Sequence, residues 1–327
     1  MTILPYLKKE FIQLNMEESK TISLHLGDVS WNPKLGIYYI DMRPAKIHYT
    51  SNIWGGSFDD NGVPMISTDI GIQYSPINIA QFGFILHAEY LENPLEQIYR
   101  QLENCVRKIL ELKVQFNDNC CTWYHNYEEV KYHIPSPWAS AMAQGEIISL
   151  LLRFNEISPS ENLLHTAKEA YNFMLIEVEN GGVKRLLVNK YFWFEEYPSS
   201  PPSNVLNGFI YAIFGIVDLI RVTNDPKIRE TFEECIKTLE YSLKEFDSGY
   251  WSYYDLQKKE LVRYYYQKNV HAPQLEILYI LTGRKIFQIF KEKWQRNVNP
   301  INFIIVQIMY RLLPRWRKLK KILTNAI

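Results

Sequence analysis

Residues 205–220 read VLNGFIYAIFGIVDLI and residues 226–245 read PKIRETFEECIKTLEYSLKE. Twelve of the first sixteen are apolar, with no face left for water. The second stretch places Ile228, Phe232, Cys235, Ile236, Leu239 and Leu243 at offsets of 4, 7, 8, 11 and 15, one stripe of an amphipathic helix. A helix that is apolar all round must be covered on several sides, and an amphipathic partner covers it while facing solvent. The same alternation precedes it: segment 137–154, PWASAMAQGEIISLLLRF, is apolar nearly throughout, and 160–176 carries Leu163, Ala167, Ala170, Tyr171 and Met174 on one stripe. Helix pairs start near Pro76, Pro137, Ser203 and Val270, steps of 61, 66 and 67 residues. A quasi-period of that size, alternating buried and amphipathic helices, predicts a mainly α chain folded as an incomplete (α/α) toroid of helical hairpins. The alternative is an irregular helical bundle.

Residues 1–75 differ. Turn signals (Asn32-Pro33, Gly55-Gly56, Asp59 to Gly62) separate short β-type runs such as Gly36 to Ile40, which predicts a small N-terminal β-hairpin and loop region packing on a toroid over 76–299. Residues 300–327 set Ile304, Ile305, Ile308, Met309, Leu312 and Leu313 before Arg315, Arg317, Lys318, Lys320 and Lys321. They predict a basic amphipathic closing helix, with peripheral contact to an anionic surface as its functional alternative. The 205–220 run is shorter than the ~20 residues a membrane span needs, and Asp218 interrupts it.

Composition excludes several classes. Lys+Arg and Asp+Glu both number 36, so there is no global basic field to gather nucleic acid. The chain shows no phosphate-binding or dinucleotide glycine loop, no G-x-S-x-G, no H-E-x-x-H and no CxxC. Cys105, Cys120, Cys121 and Cys235 lack metal-ligand spacing, and the first residues lack a signal-peptide apolar core. Both features predict reduced thiols in a cytoplasmic protein. His125 and His133 near Glu128 and Glu129 are a loose metal candidate, more simply read as polar loop surface. Aromatic residues reach 14%, with 23 Tyr. This suits either a bulky core or a groove whose rings stack on sugar faces.

Chemistry-bearing residues concentrate in stretches flanking the buried helices: Asp41-Met42-Arg43 with Asp59 to Pro64, Phe194 to Pro198, Tyr253 to Asp255, and Arg263 to Tyr266 followed by His271. Each is weak alone. Together they can gather a carboxylate, several phenols and an arginine around one cleft.

Five stretches then carry a family resemblance. Residues 194–209, FEEYPSSPPSNVLNGF, resemble the signature of the glucuronyl 5-epimerases, which convert glucuronate to iduronate within heparan-type glycans. Residues 137–145, PWASAMAQG, resemble their W-x-S-x-M-A-Q-G element. Residues 58–64 and 74–83 resemble the F-D-x-x-G-x-P and A-Q-Y-G elements, and 271–276, HAPQLE, resembles H-I-x-Q-L. The resemblance runs from about residue 35 to 295. It implies an (α/α) catalytic domain, a homodimer as in the animal enzymes, an acidic heparosan-like polysaccharide as partner, and no metal or nicotinamide cofactor. By position it implies catalytic Glu196, Tyr197, Tyr254 and a tyrosine before His271. The family spacing Y-x-x-x-H would fall on Gln267, so one inserted residue is inferred and the role goes to Tyr266, three after Arg263, with Tyr265 as fallback. Arg263, His271, Gln144, Arg43, Asn207 and Gln81 are the expected substrate-binding residues. The animal enzymes' separate β-barrel is missing or reduced to residues 1–75.

These residue types suit epimerisation. The carbon 5 proton lies α to a carboxylate and is weakly acidic, because its loss adds charge beside an existing anion. A dry site with donors aimed at that anion, and acid–base groups on both sugar faces, is needed. Glu196 and Tyr266 are expected on opposite faces, with Tyr197 and Tyr254 polarising or relaying. A polysaccharide lyase makes the same carbanion and then eliminates. A glycoside hydrolase would pair Glu196 with Asp255 or Asp41, and an inactive glycan-binding protein would keep the groove alone.

Overall fold

A computed structural model describes residues 22–50, 55–187 and 191–309. The first twenty-one residues and the basic cluster at 315–321 lie outside the described residues.

The chain is mainly helical, and four hairpins carry it. Their inner helices are α2 (Pro76–Glu92), α4 (Ala141–Ile157), α6 (Leu206–Thr223) and α8 (Ala272–Thr282), preceded by α1 (Lys46–Thr50). Their outer helices are α3 (Glu96–Glu111), α5 (Glu161–Met174), α7 (Pro226–Ser242) and α9 (Lys285–Arg296). Capping explains the starts: Ser75 caps α2 with Pro76 in its first turn, Ser140 caps α4, and Asp225 caps α7 before Pro226. α2 packs on α4, α4 on α6, and α6 on the turn that leads into α8. Each outer helix packs on its own inner helix, and α3 and α5 also reach the next one, giving an open toroid with two concentric layers.

The sequence contrast between helices corresponds to this layering. α6 buries residues 206–221 without a break, whereas α7 buries mainly the stripe Ile228, Phe232, Cys235, Ile236 and Leu239. Each large apolar side chain taken from water is worth ~1.5–3 kcal/mol, so the inner helices hold the fold. α6 is long and apolar enough to cross a membrane, but it is the core helix and 89% buried. α4 and α6 approach closely at Gly145 and Gly215. A Cβ on Gly145 would meet the Ala212 Cα at 2.5 Å, and one on Gly215 would meet the Gly145 carbonyl oxygen at 2.5 Å. All four cysteines are buried free thiols.

Short antiparallel ladders fill the gaps between hairpins. β1 (His25–Leu26) pairs β2 (Ile40–Asp41), and β3 (Ser57–Phe58), β4 (Pro64–Thr68) and β5 (Gly71–Tyr74) form a meander. β6 (Val114–Asn117) pairs β7 (Cys120–Thr122), β8 (Tyr124–His125) pairs β9 (Trp138–Ala139), and β10 (Lys184–Leu186) pairs β11 (Phe192–Phe194). β1 lies on α8 and β2 on α2, so this ladder bridges the first and last inner helices where the ring is open. The β3–β4 turn explains the F-D-x-x-G-x-P element. Asp59 accepts from the Asn61 and Val63 amides at 2.9 and 2.8 Å, and Gly62 takes the positive φ of 75° that this turn requires. The run Gly36 to Ile40 forms less strand than its residue types predict. Tyr38 and Tyr39 enter the core instead, with Tyr38 stacked 3.8 Å from Phe84.

At the far end of α4 and α6, a charged cluster is fully buried. Arg153 pairs with Asp218, whose Oδ1 also accepts from Tyr39 at 2.8 Å and lies 3.4 Å from Arg221. Asp218 therefore satisfies two buried guanidinium groups. Asp218→Asn should destabilise the fold by about 3–5 kcal/mol, because it leaves the buried Arg153 charge without a carboxylate, while Arg221 keeps Asp28 at 3.4 Å. Urea unfolding checks this, and a loss below 1 kcal/mol would show that water reaches the cluster.

Candidate active site

The site is assembled where the chain enters inner helices α4, α6 and α8. Strand β11 ends at Phe194, and Glu195 and Glu196 follow with opposite fates. Glu195 is fully satisfied: Arg185 donates to Oε1 at 3.2 Å, and the Ser203 hydroxyl and Asn204 amide donate to Oε2 at 2.7 and 3.0 Å. Its own carbonyl accepts from the first amide of α4 at 2.9 Å, tying the two segments together. Glu195 is thus a fastening residue. Glu196 accepts the Tyr254 hydroxyl on Oε1 at 3.1 Å, and its buried Oε2 has no hydrogen-bond partner among the described residues. Burial raises the Glu196 pKa to about 7, opposed by hydrogen bonding from Tyr197 and Tyr254 and by Lys131.

Gly208, in the first turn of α6, makes room for that carboxylate. A Cβ there would stand 2.3 Å from Glu196 Oε2 and 2.5 Å from its Cβ. Gly208→Ala should displace the carboxylate and lower turnover by about 100-fold, the scale expected of a small misplacement in a catalytic group, at a stability cost of ~1–3 kcal/mol. Turnover and urea unfolding together check this; full activity would show that the carboxylate position is not critical.

The phenols converge around this group. The Tyr254 and Tyr266 rings meet edge to face at 5.8 Å, and Tyr197 stacks on Tyr132 at 4.8 Å and leans on Trp138 at 5.4 Å. Burial, then the nearby Glu196 charge, raises the pKa of Tyr197, Tyr254 and Tyr266 well above 10, so all three are neutral phenols. An open groove of about 440 Å³ exposes Tyr254, Tyr265 and Tyr266 beside Lys131, Glu260 and Arg263. A second cavity of about 260 Å³ shares Tyr265 and Tyr266 and reaches Asn78, Gln81 and Tyr211. Glu196 lies one layer deeper, with Tyr254 between it and the groove.

The inserted residue before His271 has a structural counterpart. Tyr264–Tyr266 forms one helical turn that continues as a π-helix over Gln267–His271 before α8. A π-turn absorbs one extra residue and restores the facing side chains beyond it. Tyr266 and His271, five apart, accordingly meet edge to face at 5.6 Å. Gln267 is buried, taking the Ser252 amide and hydroxyl on its Oε1. Tyr265 turns toward His48, 5.9 Å away, while Tyr266 meets Tyr254.

The expected substrate-binding residues divide. Arg263 and Gln81 line the two cavities. His271 does not reach the groove: it is buried, bonded through Nδ1 to Ser252 at 2.9 Å, and burial pushes its pKa down to about 3, so it is a neutral wall behind Tyr266. Gln144 is buried and donates to the Cys121 carbonyl at 3.1 Å, and buried Asn207 contacts the Met142 sulfur at 3.8 Å. Arg43 is clasped by Asp41 at 2.7 Å and Glu92 at 2.5 Å and lines neither cavity.

Sequence reading missed Lys131 and Tyr132, from the loop between β8 and β9. The Lys131 ammonium sits 4.6 Å over the Tyr254 ring and pairs with Asp255 at 3.5 Å and Glu260 at 3.1 Å. Tyr132 donates to Asp255 at 3.0 Å. It also missed Glu146, a buried carboxyl that accepts from Gln81 at 3.0 Å and whose pKa burial raises well above the usual carboxylate range. His125, at the end of β8, is buried and stacks on Trp138 at 4.1 Å, and no three metal-ligating side chains converge among the described residues.

The chain resembles known proteins over much of its length. The family model described as D-glucuronyl C5-epimerase C-terminus matches residues 116–296. That range includes Lys131, Glu196, Tyr197, Tyr254, Tyr266 and the π-turn. An uncharacterised protein of Methanocaldococcus jannaschii is 32% identical over 176 residues, covering 53% of this chain and 56% of its own length. A D-glucuronyl C5-epimerase of Caenorhabditis elegans is 35% identical over 141 residues, covering 39% of this chain and 23% of that protein. The chain thus spans about half of the first relative and a quarter of the second. Among solved structures, a cellobiose 2-epimerase from Spirochaeta thermophila aligns over 89% of this chain and 70% of its own at 14% identity and TM-score 0.46. A GH76 α-mannanase from Bacteroides thetaiotaomicron aligns over 78% and 66% at 11% identity and TM-score 0.46. With more than half of its residues matched by the family model, and the acid–tyrosine cluster inside that match, this chain belongs to the D-glucuronyl C5-epimerase C-terminus family.

Proposed function

We propose that the protein inverts carbon 5 of D-glucuronate to L-iduronate within a heparosan-like polysaccharide. The observation that carries this reading is the asymmetry of the two groove phenols. Tyr254 is bonded to a carboxylate able to take a proton near neutral pH, whereas Tyr266 carries no such bond among the described residues. Tyr254 is therefore the basic side and Tyr266 the acidic side. The C5–H bond breaks and its proton passes to the Tyr254 oxygen as Tyr254's own proton moves to Glu196. The electron pair left on carbon 5 delocalises into the uronate carboxylate, whose added charge faces Lys131 and Arg263 across the groove. Tyr266 then delivers its O–H proton to the opposite face. This leaves Glu196 protonated and Tyr266 ionised; Glu196 releases its proton to solvent and Tyr266 takes one from solvent, which returns both groups to their starting state. Glu196 thus acts through Tyr254 rather than touching the sugar.

The hydrolase alternative fares poorly on geometry. Asp255 is engaged by Tyr132, Lys131 and the Lys258 amide, and Asp41 by Arg43, so neither stands free as a second carboxylate.

Proton NMR of heparosan incubated with the protein in deuterated water tests the proposal. Deuterium at carbon 5, iduronate signals and unchanged chain length are expected. Shortened chains with ultraviolet-absorbing unsaturated ends would replace epimerase by lyase. Binding without exchange on any uronate polymer would leave a glycan-binding protein.

A further inference from the structure

The helix that follows α9, α10 (Pro300–Met309), is apolar on two sides. Its inward side carries buried Val306 and half-buried Met309, which join a cluster with Trp251, Leu261 and Val262. Phe303 meets the Tyr264 ring edge-on at 4.9 Å, and Asn302 donates to the Tyr250 carbonyl at 3.4 Å. Its outward side carries Ile301, Ile304, Ile305 and Ile308, exposed by 72%, 50%, 38% and 46%. Their spacing of three, four and seven residues makes a single stripe along the helix. The sequence then runs YRLLPRWRKLKKILTNAI, with six Lys or Arg and no Asp or Glu.

We propose that this face docks on an anionic lipid surface. Four neighbouring isoleucines facing water need an apolar partner, and a polyanionic glycan, bound by cations and hydrogen-bond donors, offers none. A second copy carries the same six basic residues and no acidic one after its own stripe, so charge does not favour it as the partner. A membrane with acidic headgroups satisfies both features: the isoleucines enter the headgroup–acyl boundary while Lys and Arg pair with phosphate and carboxylate groups. Phe303 packs the docking helix against Tyr264, beside the groove tyrosines, and Asn302 ties it to the loop at Tyr250, so a docked chain holds its groove close to the bilayer.

Vesicle flotation of the full chain tests this. Vesicles containing about 30% phosphatidylserine should carry the protein at low salt, whereas pure phosphatidylcholine vesicles should not, and binding should fall as salt rises. The pair Ile304→Ser and Ile308→Ser should lower partitioning by about tenfold or more. The pair Lys318→Glu and Lys320→Glu should do the same through charge alone. Unchanged thermal midpoints would show that the variants remain folded. Absence of flotation for the parent chain overturns the proposal, as does flotation indifferent to the isoleucine pair. Light scattering that shows a dimer split by the isoleucine pair, with vesicle binding unchanged, would instead assign the stripe to a second copy.

Discussion

Glu196→Gln should lower carbon 5 exchange by about 10³-fold, within the range general acid–base groups contribute, while making the protein more stable above neutral pH. The amide has nearly the shape of the carboxylate, so the Tyr254 contact and the space left by Gly208 are preserved. What it loses is the capacity to take a proton. Tyr254, a phenol held well above pKa 10, then has no acceptor for its own proton and cannot act on the sugar. The parent enzyme should gain activity as pH rises through about 7, the Glu196 pKa, and this limb should vanish in the variant. Stability runs the other way. The folded state holds the Glu196 proton more tightly than the unfolded chain, with its reference pKa of 4.5. Its contribution is therefore full below 4.5 and is lost as pH rises to about 7. At ~1.4 kcal/mol per unit, the variant should be more stable at pH 8 by on the order of 3 kcal/mol and roughly equal to the parent at pH 4. Exchange kinetics and urea unfolding across pH read both effects. An active variant, or one no more stable at pH 8, would remove Glu196 from the proton path.

The parts of this protein legible in its sequence are those set by long-range burial. α4 and α6 are covered on all sides, so their apolar runs have no polar face, and their partners α5 and α7 have one stripe each. The ladders β6–β7, β8–β9 and β10–β11 were not legible, because strands of two to four residues are too short to show a period of two. In the site, Glu196, Tyr197, Tyr254 and Tyr266 lie together as the family motifs imply. The offset between Tyr266 and His271 resolves into the π-turn. Lys131 was hidden because a lysine among Glu128, Glu129 and Lys131 in a loop reads as solvated surface, and only the fold sets it over the Tyr254 ring. Gln144, Asn207 and His271 show the converse: polar residues within a motif hold the walls of the site without reaching the groove. Sequence marks them as special without saying whether they face the substrate or the core.

Tyr266→Phe separates the two halves of the reaction. The substitution keeps the ring that meets Tyr254 at 5.8 Å and His271 at 5.6 Å, and removes only the O–H. Proton abstraction on the Tyr254 side remains available, because Glu196 and its hydrogen bond are untouched. The carbanion then has no donor on its opposite face and recaptures a proton from the side it lost one. In deuterated water, the Tyr254–Glu196 pair exchanges with solvent, so the recaptured nucleus is deuterium. Glucuronate should therefore gain deuterium at carbon 5 while iduronate formation falls by about 10³-fold. Two acid–base groups on opposite faces require this uncoupling, whereas a single group serving both faces would lose exchange and inversion in equal measure. NMR that follows the glucuronate and iduronate carbon 5 signals in one sample distinguishes them. Equal loss of both would make Tyr266 part of the abstraction step. Undiminished inversion would pass the acid role to its neighbour Tyr265, which lines the same groove with a pKa pushed up by burial to about 12.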